Sequence, residues 1–266
     1  MVTRIISAII GLVLLFIIMF SNILIFNVAV TLISVVAIFE MLKAYGFIKN
    51  KLFIIVGIIS SGVFCLLNNN NNYVLLYTVL MFIFFAIYLV LNHEKYNSKD
   101  IFTVITINLI IPFVFSSVIN IRDFKNGEFL IWLLFISSWI TDTFAYFTGR
   151  FLGKHKLCEK ISPKKTIEGS IGGVIGAIIG FIVFAYITGK INGFTYNYFN
   201  LIILSFTSSI LSQFGDLFAS SVKREYKIKD FGNIMPGHGG VLDRFDSFIL
   251  TAPYLYIFIN LFEIII

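Results

Sequence analysis

Long apolar segments recur along the whole chain and limit what it can fold into. Several approach the roughly 20 residues that an α-helix needs to cross a bilayer. Nine such segments can be counted, covering about residues 5–20, 23–39, 52–67, 73–92, 101–120, 128–148, 169–188, 198–221 and 247–265. Their apolar residues are continuous and do not alternate, which disfavours a transmembrane β-barrel. The sequence therefore predicts an all-α, polytopic integral membrane protein with about nine transmembrane helices.

Composition supports a membrane protein over the one or two soluble domains that 266 residues would allow. Only 13% of the residues are charged, and the mean hydropathy is +0.94. The net charge of +6 suits loops that face anionic lipid headgroups, and it is not gathered on a soluble domain that could bind nucleic acid. Cys65 lies in an apolar run and Cys158 in a basic loop, which predicts two reduced thiols.

Basic residues are concentrated in three of the links between apolar segments, residues 40–51, 150–168 and 222–246. With nine spans these links fall on one side of the membrane, which the positive-inside rule assigns to the cytoplasm. The links at 68–72 and 121–128 fall on the other side. We therefore predict a cytoplasmic N-terminus and an external C-terminus, in the plasma membrane of a bacterial cell.

Residues that could take part in binding or catalysis are concentrated in the second half of the chain. The front spans carry only isolated polar residues, whereas Asp142 and Asp216 place carboxylates at membrane depth, where an unpaired charge is costly. We predict a structural N-terminal region, residues 1–120, with dimerisation as an open role. Residues 121–266 form the predicted catalytic region.

The segment 220–246, SSVKREYKIKDFGNIMPGHGGVLDRFD, is polar between two apolar segments. The spacing of Gln213, Asp216, Ser220, Lys223 and Lys227 predicts one helical face. The segment combines carboxylates suited to a hard cation, basic side chains suited to phosphates, and a glycine turn whose amides can approach an anion. This combination indicates phosphoryl or nucleotidyl transfer at a membrane surface.

The same segment resembles the signature of phosphatidate cytidylyltransferases, also called CDP-diacylglycerol synthases. The matching positions are Ser220, Lys223-Arg224, Lys229-Asp230, Gly232, Pro236, His238-Gly239-Gly240, Asp243-Arg244 and Asp246. Met235 departs from the family pattern but keeps its apolar character. The run from Ser162 to Gly169, with Asp142, Ala145-Tyr146 and Gly149-Arg150, also resembles that family. Specific motifs thus cover about residues 138–250.

The resemblance implies an enzyme that transfers CMP from CTP to phosphatidate, giving CDP-diacylglycerol and pyrophosphate for phospholipid synthesis. It implies catalytic roles for Asp216, Lys223, Arg224, Asp243 and Asp246, with Asp216, Asp243 and Asp246 as metal ligands. The substrate-binding residues that it implies are Asp142, Ser162, Lys164, Lys165, Ser220, Lys229, His238, Gly239 and Gly240. It further implies Mg²⁺, a homodimer and the lipid bilayer as a partner, and it leaves open a second, monovalent or divalent cation.

Three alternatives remain at this point. An ion-coupled transporter also uses intramembrane carboxylates, but it predicts polar residues at corresponding positions of both halves, and here they lie in the second half. A non-catalytic membrane scaffold would not need acidic pairs, a glycine turn and a basic cluster together. Among enzymes, a related transferase that acts on another lipid phosphate, such as a polyprenyl phosphate, stays open.

Overall fold

The computed structural model of the chain describes residues 2–66, 71–237 and 239–266, and the side chains of residues 6–66, 72–237 and 239–266. Within these ranges the chain is predominantly helical, which confirms the predicted all-α class. The helices are α1 (Val2–Met19), α2 (Ile23–Ala44), α3 (Lys51–Leu66), α4 (Asn71–Leu91), α5 (Ser98–Asp123), α6 (Gly127–Leu152), α7 (Ile167–Asn192), α8 (Tyr198–Glu225) and α9 (Phe248–Leu261). A short 3₁₀ turn, Leu242–Arg244, precedes α9.

Six of the described helices, α2 and α4 to α8, are long and apolar enough to cross a membrane. The other three are shorter apolar helices. Each predicted apolar segment corresponds to one helix, because the length and continuity of an apolar run are visible locally in the sequence. The chain is a multi-pass membrane protein.

Helix α2 continues beyond the apolar segment that predicted it. The run from Glu40 to Ala44 consists of good helix formers, which lets the helix extend past its apolar part. Gly46 then adopts a positive φ of 81°, a conformation that glycine tolerates and that commonly follows a helix end. The extension places Glu40 inside the helix and not in the following link.

The chain divides into two compact units. The first comprises residues 1–119 and 228–244, and the second comprises residues 120–227 and 245–266. Residues 228–244, which the sequence analysis placed with the C-terminal region, therefore belong to the first unit. The polar segment 220–246 is divided between the units.

In the second unit, small residues allow α6 and α7 to pack closely. A Cβ atom added to Gly173 would lie 2.9 Å from the backbone oxygen of Thr141, and one added to Gly169 would lie 2.7 Å from that of Ala145. The side chain of Ile140 would meet a Cβ at Gly180 at 2.6 Å. The glycines of α7 therefore permit the close approach of the two helices.

The link between α6 and α7 was predicted as a loop, and this was wrong in part. It forms an antiparallel hairpin of β1 (Lys156–Cys158) and β2 (Ser162–Thr166). Thr166 caps α7 by accepting the amide of Gly169 at 3.1 Å. The Glu168 carboxylate accepts the amide of Lys154 at 3.1 Å, which ties the start of the hairpin to the first turn of α7.

Candidate active site

Three predicted site residues come together in the second unit. Asp142 lies on α6, Asp216 on α8, and Asp246 in the turn that leads into α9. Their charges are close enough to interact with one another. We call Asp142, Asp216 and Asp246 the carboxylate cluster.

The turn that carries Asp246 is held against both helices. A Cβ atom on Gly215 would lie 3.0 Å from the Asp246 backbone oxygen and 2.8 Å from that of Ser247, so a larger residue would push the turn away from α8. The Ser247 hydroxyl lies 2.6 Å from the Ser138 hydroxyl on α6, and both are buried. Sequence reasoning missed Gly215 and Ser247.

The environment of Asp246 is unfavourable for a lone carboxylate. Burial raises the pKa of Asp246 to about 7, and the neighbouring Asp216 carboxylate adds to the rise. The Lys223 ammonium, whose Nζ lies 4.0 Å from Asp246 Oδ2, acts in the opposite direction. A positive charge beside this cluster would therefore favour the ionised form of Asp246.

Lysine and serine side chains already contact the cluster. Lys165 Nζ, from β2, lies 2.5 Å from Asp216 Oδ2, with both side chains about one quarter exposed. The Ser220 hydroxyl donates to Asp216 Oδ1 at 3.4 Å, one helical turn away. The structure thus brings Lys165 beside Asp216 and Ser220, two residues that were predicted to share one face of a helix.

The remaining predicted residues of the second unit lie on or beside the hairpin. Arg224 Nε donates to the Ile161 backbone oxygen at 3.4 Å, which joins the end of α8 to the hairpin turn. Ser162 is half-buried in β2, and Lys164 is exposed. Lys227 lies beyond the end of α8 with a positive φ of 54°, so the predicted helical face does not extend to it.

In the first unit, residues 228–244, which we call the signature loop, fold around two carboxylates. Asp243 Oδ2 accepts the amides of Phe231 at 2.8 Å and Gly240 at 2.9 Å. The second carboxylate is that of Glu40 on α2, which accepts the amides of Val241 and Leu242. Gly239 turns the chain with a φ of 88°. The consecutive amides of Gly240, Val241 and Leu242 therefore donate hydrogen bonds to carboxylates of the protein itself.

The signature loop lines an open cavity of about 370 Å³. Its lining residues are Lys229, Asp230, Asn233, Met235, Pro236, Gly237, Gly239 and Arg244. The predicted substrate-binding residues Lys229 and Gly239 thus face one cavity, together with the guanidinium-bearing Arg244. Gly240 donates its amide to Asp243. The prediction for His238 lies outside the described residues.

Sequence reasoning missed Glu40, which is 1% exposed. The predicted second span ended at residue 39, and Glu40 was assigned to the basic link 40–51 that follows it. The available signal was its spacing: Ala37 and Met41 flank it on the buried side of α2. A carboxylate on the buried face of an apolar helix points to a specific partner.

Comparisons with known proteins cover nearly the whole chain. A family model described as the cytidylyltransferase family matches residues 2–262. The chain is similar to the phosphatidate cytidylyltransferase of Bacillus subtilis (strain 168), with 32% identity over 248 residues that span 90% of each protein. It is also similar to the phosphatidate cytidylyltransferase of Rickettsia bellii (strain RML369-C), with 44% identity over 154 residues, 57% of this chain and 66% of that protein. That of Staphylococcus haemolyticus (strain JCSC1435) is 42% identical over 133 residues, half of each protein.

Proposed function

The chain belongs to the cytidylyltransferase family, and on this premise we propose that it transfers CMP from CTP to phosphatidate. The products are CDP-diacylglycerol and pyrophosphate, and the enzyme is a membrane nucleotidyltransferase of phospholipid synthesis. One observation carries the proposal most directly: the similarity to a phosphatidate cytidylyltransferase runs along 90% of both proteins. The carboxylates and basic side chains described above supply the chemistry that this reaction needs.

The reaction joins two anions. An oxygen of the phosphatidate phosphate attacks the α-phosphorus of CTP, and the bond from that phosphorus to the oxygen that bridges to the β-phosphorus breaks. Pyrophosphate leaves with the bonding electron pair. Because the attacking phosphate is ionised at neutral pH, no general base is required. Charge neutralisation and alignment are therefore the main catalytic tasks.

We assign the basic side chains to the phosphate groups. In the second unit, Lys165, Lys223 and Arg224 would bind phosphate oxygens, supported by Lys164 and by the hydroxyls of Ser162 and Ser220. In the first unit, Lys229 would bind phosphate at the cavity that it lines. Gly239, Gly240 and His238 remain predicted substrate contacts. Asp142 is assigned to substrate binding through the carboxylate cluster.

Mg²⁺ is the metal that we propose. Among the described residues, no three His, Cys, Asp or Glu side chains stand close enough to ligate one ion. Mg²⁺ commonly uses only one or two carboxylates together with substrate phosphates, so the interacting pair of Asp216 and Asp246 fits it. Bound there, the ion would neutralise charge on the phosphates. Asp243 stays a predicted ligand, and its Oδ2 already accepts two amides.

We further propose the arrangement in the cell. The three basic links would face the cytoplasm, where CTP is available, with the N-terminus inside and the C-terminus outside a bacterial plasma membrane. Residues 121–266 would carry most of the catalytic groups and residues 1–120 the supporting helices. A homodimer, and a second cation beside Mg²⁺, complete the proposal.

The contact between Lys165 and Asp216 gives a first prediction. Changing Lys165 to methionine removes the ammonium group that contacts the Asp216 carboxylate and removes a proposed phosphate ligand, so kcat/KM for CTP should fall about 100-fold. Steady-state kinetics of the purified variant measure this. Lys160, an exposed lysine at the turn of the same hairpin, provides the control: Lys160→Met should keep near wild-type kinetics. Equal kinetics of the two variants would contradict the role of Lys165.

Isotope position tests the reaction type. Purified protein in detergent receives phosphatidate, Mg²⁺ and CTP labelled either at the α- or at the γ-phosphorus. We expect α-label in the lipid and γ-label in pyrophosphate, both abolished by a chelator and restored by added Mg²⁺. Label from the γ-phosphorus in the lipid would mean phosphoryl transfer, and would overturn the proposal.

A further inference from the structure

A buried carboxylate of the second helix holds the loop that carries the family signature. Glu40 Oε1 accepts the amide of Val241 at 3.0 Å, and Oε2 accepts that of Leu242 at 2.8 Å. Because these amides are consecutive, the carboxylate fixes the backbone at the entry to the 3₁₀ turn Leu242–Arg244. We propose that Glu40 is a positioning residue for CMP transfer, which keeps the signature loop in its substrate-binding shape. The inference rests on the proposed function.

Two glycines of the signature support this role. A Cβ atom added to Gly232 or to Gly240 would overlap the carboxylate of Glu40. The carboxylate therefore occupies the space that a side chain at either position would need. This gives a physical reason for the small residue and for the last glycine of His-Gly-Gly in the signature, and it links both to a helix nearly 200 residues earlier in the chain.

The two amides that Glu40 binds directly follow, in the chain, an amide that Asp243 binds. Asp243 holds the amide of Gly240, and Glu40 holds the next two amides. The loop residues Lys229 and Arg244, which line the cavity, are thus carried on a backbone whose turn is fixed by two carboxylates. Loss of Glu40 would free the amides of Val241 and Leu242, shortly before Arg244, while the bonds of Asp243 to Phe231 and Gly240 stay in place.

The geometry requires a carboxylate and not simply a polar group. Each oxygen of Glu40 accepts one N–H, so both atoms act as acceptors. In a glutamine one of these atoms becomes an NH₂ group, which faces an amide donor and cannot accept from it. Glu40→Gln therefore loses one buried hydrogen bond and leaves two donors opposed, although its shape is almost unchanged.

The test compares Glu40→Gln with Ser34→Ala in purified full-length protein. Ser34 is a buried residue of the same helix whose hydroxyl lies 3.0 Å from that of Ser61, away from the loop. For Glu40→Gln we expect kcat/KM to fall about tenfold or more, with a raised KM for CTP. Trypsin cleavage after the exposed Lys229 should be about fivefold faster than in wild type, because the loop opens more often. Ser34→Ala should change neither, at a comparable melting temperature.

A second test begins from Gly232→Ala, which leaves Glu40 in place and so does not depend on the folding of Glu40→Gln. Gly232→Ala should accelerate loop cleavage in the wild-type background, where the new methyl group collides with Glu40. In the Glu40→Ala background the same change should have little additional effect, because its collision partner is gone. Additive effects, unchanged cleavage in Glu40→Gln, or a loss of activity without faster cleavage would each overturn the inference. The cleavage readout does not depend on CMP transfer, so failure of the proposed function would be recognised separately by an inactive wild-type protein with the expected coupling.

Discussion

Asp216→Asn is expected to lower the rate of CMP transfer by about 1,000-fold, since it removes the charged group that contacts Lys165 and that we propose as a ligand of the cation. Asp216 is held within the carboxylate cluster by two side chains, Lys165 at 2.5 Å and Ser220 at 3.4 Å. It also interacts with the charges of both other cluster residues. An asparagine keeps the shape but cannot balance the Lys165 ammonium group or supply charge to the proposed Mg²⁺.

The effect should be catalytic and not a general loss of structure. Glu225, the exposed last residue of the same helix, gives a matched control, because Glu225→Gln removes one negative charge from α8 without touching the cluster. The test compares the initial rates of the two variants with labelled CTP. Only variants that elute like the wild type in size-exclusion chromatography are used. A folded Asp216→Asn variant with more than about a tenth of wild-type activity would remove Asp216 from the catalytic machinery.

Gly173→Val is expected to cause the largest loss of folded protein. A Cβ at this position would lie 2.9 Å from the backbone oxygen of Thr141, so α6 and α7 would have to separate. Helix backbones do not yield as a flexible side chain does, and overpacking of this kind costs about 3 kcal/mol. For a chain of this size that corresponds to a melting temperature lower by roughly 10 °C, measured by thermal unfolding in detergent.

The control for this change is another helical glycine. A Cβ at Gly62, in α3, would meet nothing within 4 Å, so Gly62→Val tests the same change of residue without the helix contact. It should leave the melting temperature close to that of wild type. If the two variants had the same melting temperature, the contact between α6 and α7 would not be what stabilises the second unit.

The helices were predictable because an apolar run of membrane-spanning length is a local property of the sequence. What could not be predicted was where they end. The extension of α2 through Glu40 depends on residues that are neither strongly apolar nor helix-breaking. The hairpin between α6 and α7 has a strand, Ser162–Thr166, with a proline and two lysines, and contacts such as that from Glu168 to Lys154 help to hold it.

For the site, motifs identified residues but not their neighbours. Lys165 and Asp216 were both predicted, yet their contact joins residues 51 positions apart and follows only from packing. The role of Glu40 was hidden for the same reason, since its partners Val241 and Leu242 lie about 200 residues later. A sequence pattern reports which chemistry is present, whereas the folded chain decides which groups meet.

The most direct test of the central claim is the identity of the lipid product. Purified wild-type protein is reconstituted in liposomes that contain either phosphatidate or a polyprenyl phosphate, supplied with CTP and Mg²⁺, and the lipids are analysed by mass spectrometry. We predict CDP-diacylglycerol, with one pyrophosphate released per molecule, in the phosphatidate liposomes alone. A CDP-linked product from the polyprenyl phosphate with none from phosphatidate, or no nucleotide-linked lipid in either, would contradict the assignment.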